Sequence, residues 1–193
     1  MKTKLESGRV FWVFLDLSKA FDMLRYDIIL EAVRCDVVTR RALGSFLTGC
    51  SVKIGNETPI RCRRGVRQGG LLSPFLFNSV ANEFLEVIRK ENDPRGMVYG
   101  YADDFLPISG SVQWLQEILD RFCAFCAAKG LIVNPDKCVA TCSSTVDFAK
   151  SGLALPTFTI QNKPIDFTHK NKYLGYWFTS TLSGDVYLKN LLT

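Results

Sequence analysis

Residues 98–108 read Val98-Tyr99-Gly100-Tyr101-Ala102-Asp103-Asp104-Phe105-Leu106-Pro107-Ile108. Two short runs rich in β-branched and aromatic residues flank an acidic pair. This is the pattern of a hairpin with Asp103 and Asp104 at its tip. Taken alone, the pair is turn chemistry, because aspartate tolerates the left-handed backbone that tight turns require. Pro107 removes a ladder donor, so its strand is expected at a sheet edge. A second apolar run, residues 10–15, ends at Asp16. Its shortness and composition predict a buried strand. Asp16 alone reads as a helix cap or turn residue. If that strand lies beside the hairpin in one sheet, Asp16, Asp103 and Asp104 meet at one point.

Three crowded carboxylates repel one another, and a divalent cation relieves the repulsion. Hard oxygen ligands with little else point to Mg²⁺, which takes its remaining ligands from water and phosphate. Two such ions clamp the attacking and leaving oxygens of a phosphoryl transfer.

Outward from this centre, apolar positions spaced three and four apart predict a helix over residues 18–35. A second helix is expected over 39–47, capped by Thr39 and stopped by Gly49. Residues 51–54 and 60–64 read as two strands joined through Gly55-Asn56. Ser73-Pro74 is a helix start, with Ser73 as cap and the apolar face running to about Lys90. Ser111 caps a further helix that ends at Lys129-Gly130. Short strands follow at 131–133, 157–160 and 173–178. Strands mix with helices without strict alternation, and no linker or repeat divides the chain. The class is therefore α+β, a largely antiparallel sheet packed on helices.

The chain has 193 residues, 47% hydrophobic and 22% charged, which excludes wholesale disorder. Its longest apolar run is far short of the roughly 20 residues of a membrane span, so no membrane partner is expected. The N-terminal residues carry charge without an apolar core, so no signal peptide is read and an intracellular site, nucleus or cytoplasm, is expected. The net charge of +5 permits a polyanionic partner. Arg61, Arg63, Arg64 and Arg67 crowd one stretch without an acid, which suits phosphate or a solvated loop. Seven cysteines without a signal read as reduced thiols. Cys123, Cys126, Cys138 and Cys142 offer a possible four-thiolate zinc site, but the first pair sits in a helical apolar pattern where cysteine acts as a small hydrophobe. The single histidine, His169, reads as a surface residue in a polar turn.

Three segments together resemble the central motifs of reverse transcriptases, in wording closest to non-LTR (LINE-like) retrotransposons. They are Phe14-Leu15-Asp16-Leu17-Ser18-Lys19-Ala20-Phe21-Asp22, Gly65-Val66-Arg67-Gln68-Gly69-Gly70-Leu71-Leu72-Ser73-Pro74-Phe75-Leu76-Phe77-Asn78 and Tyr101-Ala102-Asp103-Asp104. Residues 130–137 are similar to the family's next motif, and 172–178 to its primer-grip hairpin. Order and spacing agree over about residues 10–180. The resemblance implies a polymerase palm with parts of the fingers, read here as one truncated domain over 1–193 with the thumb absent. Only fifteen residues precede Asp16, fewer than the family's fingers motifs need, and residues 91–100 are shorter than the usual segment.

The resemblance also assigns roles. Asp16 and Asp103 are the principal ligands of two Mg²⁺, Asp104 is the third carboxylate, and the Leu17 carbonyl completes the shell. Phe21 lies under the sugar of the incoming nucleotide and excludes a 2′-hydroxyl; as a plain structural residue it opens its helix's core face. Gln68 and Gly69 let backbone approach the nucleotide. Lys137 faces the triphosphate as proton donor to the leaving pyrophosphate, or is a solvated turn lysine. Tyr173, Leu174 and Gly175 position the primer end, and Arg63, Arg64 and Arg67 meet template phosphates. The implied activity is an RNA-directed DNA polymerase that joins dNTPs to a DNA primer on an RNA template. The alternatives are an inactive remnant that at most binds nucleic acid, an RNA-templated RNA polymerase, which Phe21 argues against, and a structural zinc module.

Overall fold

The computed structural model describes residues 9–143 and 154–180. The apolar run folds as strand β1 (Phe11–Phe14). The acidic pair joins β4 (Gly96–Tyr101) to β5 (Asp104–Ser109), antiparallel from Gly96↔Ser109 to Tyr101↔Asp104. With β6 (Val139–Cys142) and β9 (Asp166–Phe167) they form one sheet of order β4-β5-β1-β6-β9. Only the β6–β9 pairing is parallel.

Both faces of β1 are buried, and two different covers explain this. Phe11, Val13 and Leu15 face helices α4 (Ser73–Glu91) and α5 (Val112–Ala128). Helical spacing puts Leu76, Phe77, Val80 and Phe84 of α4 and Leu115, Ile118, Leu119 and Phe122 of α5 into that core. Trp12 and Phe14 point the other way into a smaller cluster with Leu106 and Tyr173. Tyr173 belongs to the hairpin of β10 (Lys170–Tyr173) and β11 (Tyr176–Thr179). Leu174 and Gly175 both have positive φ at its turn, the type I′ pattern. The single strand expected over 173–178 is thus the end of β10, a turn and most of β11.

Several expectations are corrected. The helix over 18–35 is broken into α1 (Ala20–Met23) and α2 (Tyr26–Ala32). Tertiary backbone pairing outcompetes local helix here. Leu24 C=O accepts from Gly65 N–H at 2.7 Å, Phe21 C=O accepts from Val66 N–H at 2.8 Å, and Arg25 bridges Arg64. Helix α3 (Val37–Thr48) is capped by Asp36, whose carboxylate accepts from Val38 and Thr39 N–H, and not by Thr39. Ser73 is the first helical residue of α4 and its hydroxyl donates to Arg67 C=O, so it ties the preceding loop down instead of capping. The hairpin between helices α3 and α4 is shorter than expected, β2 (Ser51–Val52) with β3 (Ile60–Arg61).

Residues 131–133 make only the Leu17↔Val133 bridge, and the 157–160 strand is reduced to β7 (Thr159–Ile160), paired with β8 (Lys163–Pro164). Pro107 is not on an edge strand, since β5 lies between β4 and β1. The β1–β5 ladder holds at Trp12↔Ile108 and again at Leu15↔Phe105 and is interrupted between, where Pro107 has no N–H to give. His169 is half-buried, its Nδ1 paired with Ser180 Oγ. Ser111 does cap α5, accepting from Trp114 N–H, and Gly130 ends that helix with φ +66°. Among the described residues no helix is long and apolar enough to cross a membrane.

Candidate active site

Leu15 N–H donates to Phe105 C=O at 3.0 Å. In an antiparallel pair the next residues along, Asp16 and Asp104, then stand opposite each other. Asp103 occupies the adjoining two-residue turn between β4 and β5. The expected meeting of strand end and hairpin tip is therefore present. The turn chemistry differs from expectation: the positive φ, +52°, falls on Ala102 and not on an aspartate. A non-glycine residue there stores strain beside the acids.

The electrostatics reflect the crowding. Burial pushes the Asp16 carboxyl above its ordinary value; Lys137 opposes that shift and the Asp103 charge adds to it. Burial also pushes Asp104 upward, reinforced by Asp103 and then Asp16. Asp16 Oδ2 is shielded from solvent with no hydrogen-bond partner, although the side chain as a whole is part-exposed. Its nearest cation is Lys137 Nζ at 4.0 Å, beyond hydrogen-bond reach. So the structure places Lys137 beside Asp16.

The backbone of Asp16 is clamped by the segment after α5. Asp16 N–H donates to Cys138 Sγ at 3.3 Å, and its carbonyl accepts from Asn134 N–H at 2.9 Å. Asn134 lies in the quoted motif 130–137 without a role assigned to it, and Cys138 reads only as a candidate zinc thiolate; neither reading reveals this clamp. Leu17 is buried and bridges Val133.

Phe21, Gln68 and Gly69 line one cavity of about 580 Å³ with Gly70, Ser73 and Pro74. The three residues expected at the nucleotide are thus brought together. Phe21 rests on Phe77 of α4, with ring centroids 4.8 Å apart. Phe77 was read only as a helix-face residue, and spacing alone cannot reveal the stack. Gly70 permits a close turn, since a Cβ there would sit 2.8 Å from Ser73 Oγ and 3.1 Å from Arg67 C=O.

Arg64 and Arg67 line a second cavity with Gln68, and Arg63 stays outside it; all three are exposed. Tyr173 packs on Phe14, ring centroids 5.4 Å apart. Burial, then the Asp104 charge, pushes its phenol up to about 12. Leu174 and Gly175 form its tip.

Among the described residues no group of three or more His, Cys, Asp or Glu side chains is placed to hold a metal ion, the three acids included. The four-thiolate zinc site is not assembled. Cys126, Cys138 and Cys142 are buried in the core and Cys123 packs against it. Burial pushes Cys126 to about 12 and Cys138 to about 11, so both are protonated thiols. At the acid site, a shielded Asp16 oxygen without a hydrogen-bond partner, among acids that repel one another, suits a hard cation that takes most of its shell from phosphate and water.

Among solved structures, the chain is similar to apo telomerase from Candida tropicalis truncated from its C-terminal domain. The TM-score is 0.64 at 16% sequence identity, over 91% of this chain and 35% of that one. The fold is a polymerase palm with parts of the fingers. The family model described as reverse transcriptase (RNA-dependent DNA polymerase) matches residues 2–178, and the chain belongs to that family. A curated relative is the Pol polyprotein from type-1 retrotransposable element R2 of Popillia japonica, 32% identical, matched over 88% of this chain and 31% of the relative. Another is that of type-2 element R2DM of Drosophila melanogaster, 31% identical over 86% of this chain and 17% of the relative. These place it with the non-LTR retrotransposons. The chain spans about a third or less of these relatives' length.

Proposed function

We propose that the chain is the palm of an RNA-directed DNA polymerase, extending a DNA primer on an RNA template with dNTPs. One observation carries the reading: Asp16, whose shielded Oδ2 has no hydrogen-bond partner, stands in register with Asp104 at a hairpin tip that also holds Asp103. Family membership supports the polymerase class.

Asp16, Asp103 and Asp104 would hold two Mg²⁺, with the Leu17 carbonyl beside them. When bound, these ions neutralise phosphate charge and lower the barrier for attack of the primer 3′-hydroxyl on the α-phosphate. The protein's own part is positioning. The Asn134 and Cys138 contacts fix the Asp16 backbone so that its carboxylate does not swing away. Phe21, backed by Phe77, forms a rigid floor under the sugar and leaves no room for a 2′-hydroxyl. Gln68 and Gly69 present polar side chain and bare backbone to the nucleotide. Lys137 is free to turn from Asp16 to the triphosphate and give a proton to the departing pyrophosphate. Tyr173, Leu174 and Gly175 hold the primer end near Asp104. Arg63, Arg64 and Arg67 contact template phosphates without reading sequence.

The test is primer extension by the purified chain on an RNA template with a DNA primer, dNTPs and Mg²⁺. Extension that stops on chelation is the expected result. A cooperatively folded chain that retains RNA at low salt yet adds no nucleotide overturns the polymerase reading in favour of a chain that only holds nucleic acid.

A further inference from the structure

The β2–β3 hairpin sets two cysteines opposite each other at its base. Ser51 pairs with Arg61 and Val52 with Ile60. One step beyond that ladder, Cys62 N–H donates to Cys50 C=O at 2.9 Å, which continues the register to Cys50 and Cys62. Opposed residues of an antiparallel pair present their side chains on one face. Both cysteines do line one cavity, the second, of about 350 Å³. Opposed Cα atoms in a hydrogen-bonded pair lie about 5.5 Å apart. A disulfide needs Cα atoms roughly 4.4–6.8 Å apart with the side chains turned to each other. The backbone therefore need not move for the two sulfurs to be joined.

Both thiols are free and half-buried. Cys50 Sγ–H donates to Phe46 C=O at 3.5 Å, a weak bond that rotation about one side-chain bond releases. Exposed Lys53, Arg61, Arg63, Arg64 and Arg67 flank the pair in sequence, against Glu57 in the hairpin turn and Asp22 in the cavity wall. That balance draws an anionic reagent toward the pair. The core cysteines differ. Cys126, Cys138 and Cys142 are buried, and burial pushes Cys126 up to about 12 and Cys138 to about 11, so they offer little thiolate. The position of the pair also matters. Arg61 Nε donates to Thr48 C=O at 2.8 Å, so the hairpin base already holds the last residue of α3. On the other side the chain runs from Cys62 into Gly65 and Val66, held by the Leu24 and Phe21 carbonyls. A bond between Cys50 and Cys62 would tie these two pieces covalently.

We propose that Cys50 and Cys62 are a reversible redox site, joined as a disulfide by an anionic low-molecular-weight disulfide such as oxidised glutathione. One cysteine thiolate attacks a sulfur of the reagent, forming a mixed disulfide and releasing one small thiolate. The other cysteine thiolate then attacks the cysteine sulfur of that mixed disulfide and releases the second small thiolate. The protein pair gives up two electrons and two protons, and the reagent takes up both and leaves as two thiols. Excess small thiol runs the same two steps backwards. The bridge closes the loop from Cys50 to Cys62, which removes freedom from the unfolded chain and stabilises the folded one.

The test equilibrates the whole chain with mixtures of oxidised and reduced glutathione, blocks remaining thiols with N-ethylmaleimide, and maps the peptides by mass spectrometry without reduction. A Cys50–Cys62 cross-link is expected as the main product, with Cys35, half-buried and outside the cavity, left as a free thiol. Excess reduced glutathione is expected to remove the cross-link. The oxidised chain should melt about 5 °C or more above the reduced one. Hydrogen exchange over residues 51–61 should slow several-fold on oxidation. The double variant Cys50→Ser with Cys62→Ser should show neither change under the same treatment. Glutathione adducts that persist on Cys50 or Cys62 without passing to the bridge overturn the proposal. So does a main cross-link between Cys123 and Cys126, between two chains, or one at Cys50–Cys62 that lowers the melting temperature.

Discussion

The Phe21 ring lies flat on the Phe77 ring, centroids 4.8 Å apart and planes 18° from parallel. One ring lines the first cavity and the other is 1% exposed in the core of α4. On the proposed function, the same pair would couple sugar selection to the packing of the domain. Phe21→Ala is expected to lower the preference for dNTP over NTP by about tenfold or more, measured by competing incorporation. Phe77→Ala is expected to cost about 3–5 kcal/mol in denaturant unfolding, because it empties a filled core site. Full stability in Phe77→Ala would show that the ring is not a buried support.

The acids make the free protein pH-sensitive. Asp16 and Asp104 have carboxyls raised above the ordinary 3.8. A carboxyl raised in the fold holds its proton more tightly there than in the unfolded chain. Its contribution is thus fully present below the unfolded value and is lost as pH rises through the folded one. Asp16→Asn and Asp104→Asn isolate the effect: each should raise the metal-free melting temperature near neutral pH. Mg²⁺ should then stabilise the unaltered protein more than either variant. Equal melting of all three at neutral pH with EDTA would contradict the crowding.

Ala102 carries a strain that glycine would relieve. Its φ of +52° costs an alanine about 1 kcal/mol. Ala102→Gly should stabilise the chain by about that amount in denaturant titration. If the strain holds Asp103 in place, the same variant should extend primers more slowly. A destabilised Ala102→Gly would mean the turn is not strained.

Gly65 stands where the segment between β3 and α4 crosses α1. Its φ is +87°, and a Cβ would meet Asp22 C=O at 2.8 Å. Gly65→Ala should cost about 1–3 kcal/mol from backbone strain alone. It should also weaken nucleotide binding, because Gln68 and Gly69 follow in the turn three residues on. Unfolding midpoints of the variant and the unaltered chain decide it.

Much of this was legible in the sequence. The apolar run before Asp16 and the acid pair between two β-rich runs are local signals, and they gave the right strands and the right meeting point. The long helices α4 and α5 followed from apolar spacing. What was not legible depends on partners distant in sequence. The break at Leu24-Arg25 comes from bonds to Gly65 and Val66, and no pattern within 18–35 encodes them. Pro107 looked like an edge residue because a ladder gap inside a sheet leaves no mark in its own strand. The positive φ at Ala102 reverses the usual turn preference, and the Phe21–Phe77 stack joins residues whose spacing has no period.

The central claim is that Asp16, Asp103 and Asp104 act as one centre. Single-turnover extension of a DNA primer on RNA, with Asp103→Asn compared against the unaltered chain at matched RNA occupancy, tests it most directly. Loss of about a thousandfold or more in rate, with RNA affinity and melting behaviour kept, is the expected result for a group that stabilises transferring phosphate. Extension at an undiminished rate by Asp103→Asn would contradict it.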